Sequence, residues 1–444
     1  MTIPRTICLG FLAVITVGTI LLTLPISSSA GTWNDPLVAL FTTTSAVCVT
    51  GHIVVDTGTY FSLWGQLFIL MLVQIGGLGY MTTTTFLILL IGYRFQLRHK
   101  RAIQEELSRP GLHKSAQLIR SIIATVIIFE ITGIFCLLPT FTADYGLSYG
   151  LWLSIFHSVS AWNNAGFSLF KDNLTGYQSS FSVSMTISLL IIFGGIGYQV
   201  IIEAFLWLRD RLKKNPKRIK FSLNFKVATS TTLVLLIFGT VAFLLTELHN
   251  PATLEPLDWK TKWLAAWFQS VVPRTAGFNS LDYSKMTTAA LFLTIGLMFI
   301  GGSPGGTAGG IKTTTLRVLT SCTRSILQGK EDVLLYDRQV AMNLVIKAVG
   351  VLLGSATTVI VATILITLSD PEVDFIRILL EVVSAFATVG LSTGITASLS
   401  TAAKLVLIAT MYIGRVGVLL FMAALLGDPR PSRIQYPEEN LLVG

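Results

Sequence analysis

The sequence predicts an all-α, polytopic membrane protein assembled from four pseudo-symmetric units. Three observations predict it: composition, the spacing of apolar runs, and an internal repeat. Of 444 residues, 52% are hydrophobic and only 12% charged, where soluble domains carry about 25% charged residues. That excludes an ordinary cytosolic enzyme and a disordered chain. Cys8, Cys48, Cys136 and Cys322 lie far apart without a CxxC pair, so no zinc or disulfide framework is readable. Apolar stretches cover 7–24, 64–92, 121–138, 183–208, 228–246, 287–301, 345–367 and 403–426. Most approach the roughly 20 residues that cross a bilayer, which predicts eight spans.

Between the spans, shorter semi-apolar pieces recur near 36–48, 152–162, 263–272 and 376–387. They are too short to cross and too apolar for surface loops, and re-entrant half-helices fit them. The chain thus divides into repeat 1 (1–93), repeat 2 (121–209), repeat 3 (227–320) and repeat 4 (345–426). Linkers at 94–120, 210–226 and 321–344 join them, and a tail covers 427–444. An alternative for residues 1–30 is a signal peptide with Arg5 and a Ser-Ser-Ala stretch ending at Ala30. The apolar run is long for that, and removing it would break the repeat.

Charge placement orients the spans. Segments 94–120, 209–226 and 312–347 carry seven, eight and six Lys or Arg, and with Arg5, Arg430 and Arg433 they hold 24 of the 32 basic residues. The opposite loops carry seven Lys or Arg against twelve acids. The positive-inside rule makes the basic side cytoplasmic, with both termini there. The net charge of +9 is therefore topological: basic segments that hug membrane spans suit lipid headgroups better than nucleic acid, which is not expected as a partner.

The repeat is the decisive feature. Ser45-Ala-Val-Cys-Val-Thr-Gly51, Ser160-Ala-Trp-Asn-Asn-Ala-Gly166, Val271-Val-Pro-Arg-Thr-Ala-Gly277 and Ser384-Ala-Phe-Ala-Thr-Val-Gly390 align, their last glycines separated by 115, 111 and 113 residues. Phe41, Phe156 and Trp267 each precede one of those glycines by ten residues. A second set follows: Ile75-Gly-Gly-Leu-Gly-Tyr80, Phe193-Gly-Gly-Ile-Gly-Tyr198, Ile300-Gly-Gly-Ser-Pro304 and Ile413-Gly-Arg-Val-Gly417. Each quarter reads span, half-helix, glycine-ended loop, span.

Four such units around one axis make a central pore. Non-helical backbone survives in a bilayer only where protein buries it or where it lines a water-filled path. Loops Val49-Thr50-Gly51, Asn164-Ala165-Gly166, Thr275-Ala276-Gly277 and Thr388-Val389-Gly390 converging there would offer carbonyl rings in place of a small cation's hydration shell. The negative ends of the half-helix dipoles would add to that field. Any single glycine is better read as close helix packing; four at one period reverse that preference in favour of the pore.

Two features break the symmetry. In repeat 3 the span dissolves into Gly301-Gly302-Ser303-Pro304-Gly305-Gly306-Thr307-Ala308-Gly309-Gly310-Ile311-Lys312, a composition no stable helix tolerates, since Pro costs about 3 kcal/mol and each Gly about 1. Such a segment lines a cavity, as a gate or as a kink. A phosphate-binding loop is excluded because Ile311 separates Gly310 from Lys312. In repeat 4, Arg415 interrupts an apolar helix at a cost of roughly 2.5–3.5 kcal/mol. It therefore faces the pore as a fixed positive barrier or pairs with a membrane carboxylate, Glu130 or Glu203.

At these residues the sequence resembles the Trk/Ktr/HKT potassium transporters, most closely the KtrB-type membrane subunit of bacterial Ktr systems, over essentially the whole chain. Thr388-Val389-Gly390 is similar to the opening of the potassium-channel filter, and Thr275-Ala-Gly-Phe278 and Asn164-Ala-Gly-Phe167 to the family's degenerate versions. The resemblance implies K⁺ uptake through a single-chain pore, K⁺ held at the filter carbonyls, the 301–312 loop as intramembrane gate, and Arg415 beneath the filter. Serine in the first filter goes with sodium preference in plant relatives, whereas Gly51, Gly166, Gly277 and Gly390 match the potassium-permeable class. It further implies a homodimer, with 427–444 a candidate contact, and a cytosolic KtrA-type nucleotide-binding ring. No tightly bound cofactor is expected; K⁺ is the transported ion and Na⁺ a candidate activator.

Of the remaining residues, Arg274 is expected to buttress the third loop from behind, Asn163 and Asn164 to hold the second, and Glu381 the fourth. His52, His99, His113, His157 and His249 show no metal-ligand spacing. Three competitors stand beside the pore. A Na⁺-coupled secondary transporter would show two large inverted halves. A Na⁺-translocating ATPase subunit would need an essential buried carboxylate. An intramembrane hydrolase would need a Ser–His pair, for which His157 near Ser160 is the nearest approach.

Overall fold

The computed structural model describes residues 3–79, 115–213, 221–330 and 332–426. The far end of the first repeat's second span, most of the first basic linker with His99 and His113, residues 214–220 and the tail at 427–444 lie outside the described residues.

Each repeat follows one plan. The first spans are α1 (Ile3–Thr23), α5 (Ser115–Tyr145), α9 (Leu223–Glu247) and α13 (Met342–Ser369). Each contains a stretch long and apolar enough to cross a bilayer. The half-helices are α2 (Pro36–Val47), α6 (Leu147–Trp162), α10 (Trp259–Val271) and α14 (Phe375–Phe386). Asp35 and Asp258 cap the first and third half-helices by accepting backbone N–H bonds. A short helix, α3 (Thr57–Tyr60), lies between the first half-helix and its second span.

The second spans begin at α4 (Leu63–Gly77), α7 (Phe181–Ile196), α11 (Thr288–Phe299) and α15 (Thr401–Val416). Ser62, Ser180, Thr287 and Ser400 cap all four, each hydroxyl accepting the N–H three residues on. The cap recurs at every repeat, and sequence analysis did not use it.

Sequence analysis placed a broken second span in repeat 3 alone, whereas those of repeats 2 and 4 are broken as well. Helix α7 turns into α8 (Tyr198–Leu212) through 104°, and α15 into α16 (Val418–Leu426) through 96°. Gly197 and Gly417 sit at these corners with φ of +97° and +90°, and Gly79 has φ +72° at the matching place after α4. The fifth residue of the second glycine motif is thus the corner, because glycine takes a left-handed backbone at little cost. Repeat 3 has Pro304 there, and Gly305 at φ +77° supplies the turn. Interruption is shared, and only its length is peculiar to repeat 3.

The same motif explains how half-helices nest. A Cβ on Gly76 would strike the carbonyl oxygen of Val47, on Gly194 that of Trp162, and on Gly414 that of Phe386. Each is the last residue of its repeat's half-helix. The glycines let the half-helix end approach the span backbone directly. Gly414→Ala is expected to lower the thermal stability of the detergent-solubilised protein, by about 1–3 kcal/mol for overpacking. Gly296→Ala, where a Cβ meets nothing within 4 Å, should not. Equal melting of the two variants would refute the nesting account.

The repeats close into a ring. Trp152 Nε1 donates to Gln66 Oε1 at 2.8 Å between repeats 2 and 1, and the Leu174 N–H of repeat 2 donates to the Asn279 carbonyl of repeat 3 at 3.0 Å. The rings of Phe299 and Phe386 meet at 6.3 Å between repeats 3 and 4. Tyr412 Oη donates to the Cys8 carbonyl at 2.8 Å, and Arg5 Nε to that of Ala424, joining repeat 4 to repeat 1. Phe41, Phe156 and Phe268 on the half-helices are wholly buried at the centre, while α1, α5, α9 and α13 present exposed Leu, Ile, Val and Phe outward. That is the inside-out surface of a multi-pass membrane protein. Beyond the glycine-rich loop, α12 (Thr313–Leu327) leads into a hairpin, β1 (Leu334–Leu335) with β2 (Arg338–Gln339). Val333, Leu335, Val340 and Val345 bury one another there.

Candidate functional site: a four-loop ring and the loop beneath it

The four glycine-ended loops meet at one place. A Cβ on Gly51 would fall on the carbonyl oxygen of Ala165, on Gly166 on that of Ala276, on Gly277 on that of Val389, and on Gly390 on that of Thr50, all inside 3.0 Å. The order runs repeat 1 to 2 to 3 to 4 and back to 1, so the contacts form a closed ring. The four glycines have φ of +88°, +69°, +69° and +91°. Val49, Asn164, Thr275 and Thr388, two residues earlier, also have positive φ, at 57°, 58°, 70° and 53°. Three of those four are β-branched, for which this region is an outlier that surrounding structure must hold.

The Ser-Ala pairs show what holds it. The carbonyls of Ser45, Ser160 and Ser384 accept the N–H of Thr50, Ala165 and Val389 at 2.7, 2.8 and 2.8 Å. Ser384 Oγ also accepts the Gly390 N–H at 3.0 Å, and Ser160 Oγ donates to the Phe167 carbonyl at 2.8 Å. Repeat 3 lacks the serine, and there the Val272 carbonyl accepts from Ala276 at 3.0 Å.

Residues 301–312 lie under the ring, folded back on themselves. Gly301 N–H donates to Ile311 at 2.9 Å, and Ser303 Oγ lies 2.9 Å from Thr313 Oγ1. The loop leans on repeat 2: Ser303 and Thr307 N–H groups donate to the Gly195 and Gly194 carbonyls at 2.9 and 3.1 Å, and Gly305 accepts from Tyr198. It also touches repeat 4, since a Cβ on Gly309 would strike Thr388 Oγ1 and one on Gly310 would come within 3.4 Å of Ala387. Lys312 Nζ donates to the Ala308 carbonyl at 2.6 Å.

Arg415 reaches this loop. Its Nη1 donates to the Thr307 carbonyl at 2.5 Å and its Nη2 to the Gly76 carbonyl of repeat 1. The proposed carboxylate partners are occupied elsewhere: Glu130 Oε1 accepts from Asn163 Nδ2 at 3.3 Å, and Glu203 from Gln199 and the Ser222 N–H. Arg415 is a tether between loop and ring wall rather than half of an ion pair. Arg274, only 7% exposed, donates over 3.4–3.5 Å to the Gly301 and Thr232 carbonyls, so it props the start of the loop from behind. Asn163 Nδ2 bonds Gln74 Oε1 at 2.6 Å, tying the second loop to repeat 1.

The hydrolase reading fails on geometry. His157 Nε2 lies 3.0 Å from Ser168 Oγ and its Nδ1 2.8 Å from the Leu153 carbonyl, while Ser160 turns to Phe167. No group of three His, Cys, Asp or Glu able to hold a metal occurs among the described residues. Sequence analysis passed over His52, which the fold places beside Glu381 with 3.3 Å between Nδ1 and Oε2. Its position directly after Gly51 was the available signal.

Comparison with known proteins agrees with this architecture. The sequence profile of the TrkH family, described as cation transport protein, matches residues 6–426. The chain is 38% identical to the Ktr system potassium uptake protein B of Bacillus subtilis (strain 168) over 100% of its own length and 97% of the relative's. It is 39% identical to the protein of the same name from Vibrio alginolyticus, over 99% and 95%. The crystal structure of the potassium transporter TrkH from Vibrio parahaemolyticus superposes with a TM-score of 0.71 at 18% identity, covering 95% of this chain and 85% of that one. Both the relatives and the solved structure are transporters, not enzymes. The chain belongs to the TrkH family of cation transport proteins.

Proposed function

We propose that the chain is the K⁺-selective, ion-translocating subunit of a Ktr-type uptake system, with residues 49–51, 164–166, 275–277 and 388–390 as its filter. The observation that supports this reading is the closed ring, each glycine abutting its neighbour's carbonyl. In each loop the first and third residues have positive φ and the one between them does not, and such non-helical backbone can offer its carbonyls to a dehydrated cation. A membrane potential supplies about 2.3 kcal/mol per charge per 100 mV, enough to accumulate K⁺ without ATP. The 301–312 loop serves as the gate and Arg415 holds it. The basic linkers face the cytoplasm with both termini, in the cell membrane. The Ktr-system names of its relatives support a further component beside this chain; the family resemblance makes the chain a homodimer and that component a cytosolic nucleotide-binding ring.

The test is K⁺-uptake rescue in a transport-deficient strain, with and without Na⁺. Gly51→Ser is expected to lower K⁺ over Na⁺ selectivity by roughly tenfold, the equivalent of about 1.4 kcal/mol of lost discrimination. Selectivity indifferent to it would remove the filter assignment. Uptake stimulated by Na⁺ without Na⁺ entry would make Na⁺ an activator. Stoichiometric Na⁺ entry would replace the channel-like reading by Na⁺-coupled transport.

A further inference from the structure

Behind three of the four loops, a polar side chain on the half-helix holds the strand that leaves the ring. In repeat 2, His157 lies 3.0 Å from Ser168 Oγ. In repeat 3, Gln269 Nε2 donates to Ser280 Oγ at 3.3 Å, while Tyr283 Oη donates to its Oε1 at 2.7 Å. In repeat 4, Glu381 Oε1 accepts from Ser392 Oγ and its Oε2 from Thr396 Oγ1 at 3.0 Å. Glu381 and His157 occupy the same register, nine residues before their ring glycines, where repeat 1 has Thr42.

Repeat 1 solves the problem differently. Its residue after the ring glycine is His52, where the other repeats have Phe167, Phe278 and Leu391. His52 Nδ1 stands 3.3 Å from Glu381 Oε2, both side chains 0% exposed. The N···O line lies off the hydrogen-bond direction and neither ring nitrogen of His52 has a hydrogen-bond partner, so the two side chains make a close polar contact without an aligned bond. Repeats 4 and 1, which share this contact, carry the two ends of the described chain, and the Gly390–Thr50 approach closes the ring at the same seam.

We propose that Glu381 and His52 are a pair of specificity-determining positioning residues: one carboxylate holds the outgoing strands of the fourth and first loops together and thereby sets the spacing of the carbonyls at the Gly390–Thr50 seam. This rests on the filter reading above. A buried carboxylate needs its donors; Ser392 and Thr396 of repeat 4 supply them, and His52 presses on the same carboxylate from across the seam. Removing either side chain takes away the polar contact that crosses the seam and frees the two loops to move apart. A looser cage discriminates less well between ions of different radius.

The experiment measures K⁺ and Na⁺ uptake in the same transport-deficient strain, normalised to membrane-inserted protein. His52→Leu, copying repeat 4, and Glu381→Gln are each expected to lower the K⁺:Na⁺ ratio roughly fivefold, about 1 kcal/mol. The double variant should be no worse than the poorer single one, as for residues acting as a unit. His52→Gln, which keeps a donor, should restore most of the ratio, something a purely space-filling role would not require. If Glu381→Gln fails to insert, His52→Leu against His52→Gln decides alone. A ratio unchanged in His52→Leu while Gly51→Ser lowers it overturns the clamp and leaves the filter standing. A ratio unchanged in Gly51→Ser overturns the filter, and the clamp with it.

Discussion

Gly390→Ala should reduce K⁺ uptake by membrane-inserted protein at least about tenfold, the conformational cost alone being about 1–2 kcal/mol for a residue forced into the left-handed region. Gly390 has φ +91°, and a Cβ there would run into the Thr50 carbonyl oxygen and close on the Gly51 backbone at 2.9 Å. Relief requires moving the Thr50 carbonyl that the neighbouring repeat brings against this glycine. Gly394 supplies the control. It has φ +87°, and a Cβ there meets nothing within 4 Å, so Gly394→Ala pays the same backbone strain without touching the ring. Uptake rescue normalised to membrane protein should separate the two variants sharply. If both lose activity equally, strain alone accounts for the loss and the ring contact carries no function.

The ring was legible in the sequence because four glycines at one period must do one job. Loop order and the identity of each neighbouring carbonyl were not, because contacts between repeats leave no trace in a single period. The second glycine motif shows a subtler limit. Gly76, Gly194 and Gly414 were recognised as repeating, but their two tasks, nesting a half-helix end and turning a corner at Gly197 and Gly417, appear only when backbone positions are known. Apolar runs such as 183–208 read as one straight span because hydropathy reports burial in lipid and is blind to direction. A bend of 104° changes no residue's polarity. His52 escaped notice for a related reason: it was weighed as a metal ligand among histidines, whereas its partner is a glutamate three repeats away.

Arg415→Ala is expected to raise K⁺ flux in the resting state by roughly tenfold or more, because each charge-assisted hydrogen bond it makes contributes about 1.5–3 kcal/mol. Two readings of this residue compete, a positive barrier that repels a waiting cation and a tether that holds the loop shut. Arg415 aligns with Gly77, Gly195 and Gly302 in the other repeats, so a long side chain stands where the fourfold plan has none. Its fork ends on Thr307 in the loop and Gly76 in the wall of repeat 1. Thr307 is itself held to Gly194 at 3.1 Å, so the loop is pinned to repeat 2 on one side and, through Arg415, to repeats 4 and 1 on the other. Arg415→Lys separates the readings. A lysine keeps the charge but lacks the planar fork that engages two carbonyls at once. The tether reading expects Arg415→Lys to behave like Arg415→Ala in flux through reconstituted vesicles, since at least one carbonyl goes unheld in either case. Wild-type resting flux in the lysine variant would show that charge alone closes the path. An alanine variant that conducts like the wild type would retire both readings.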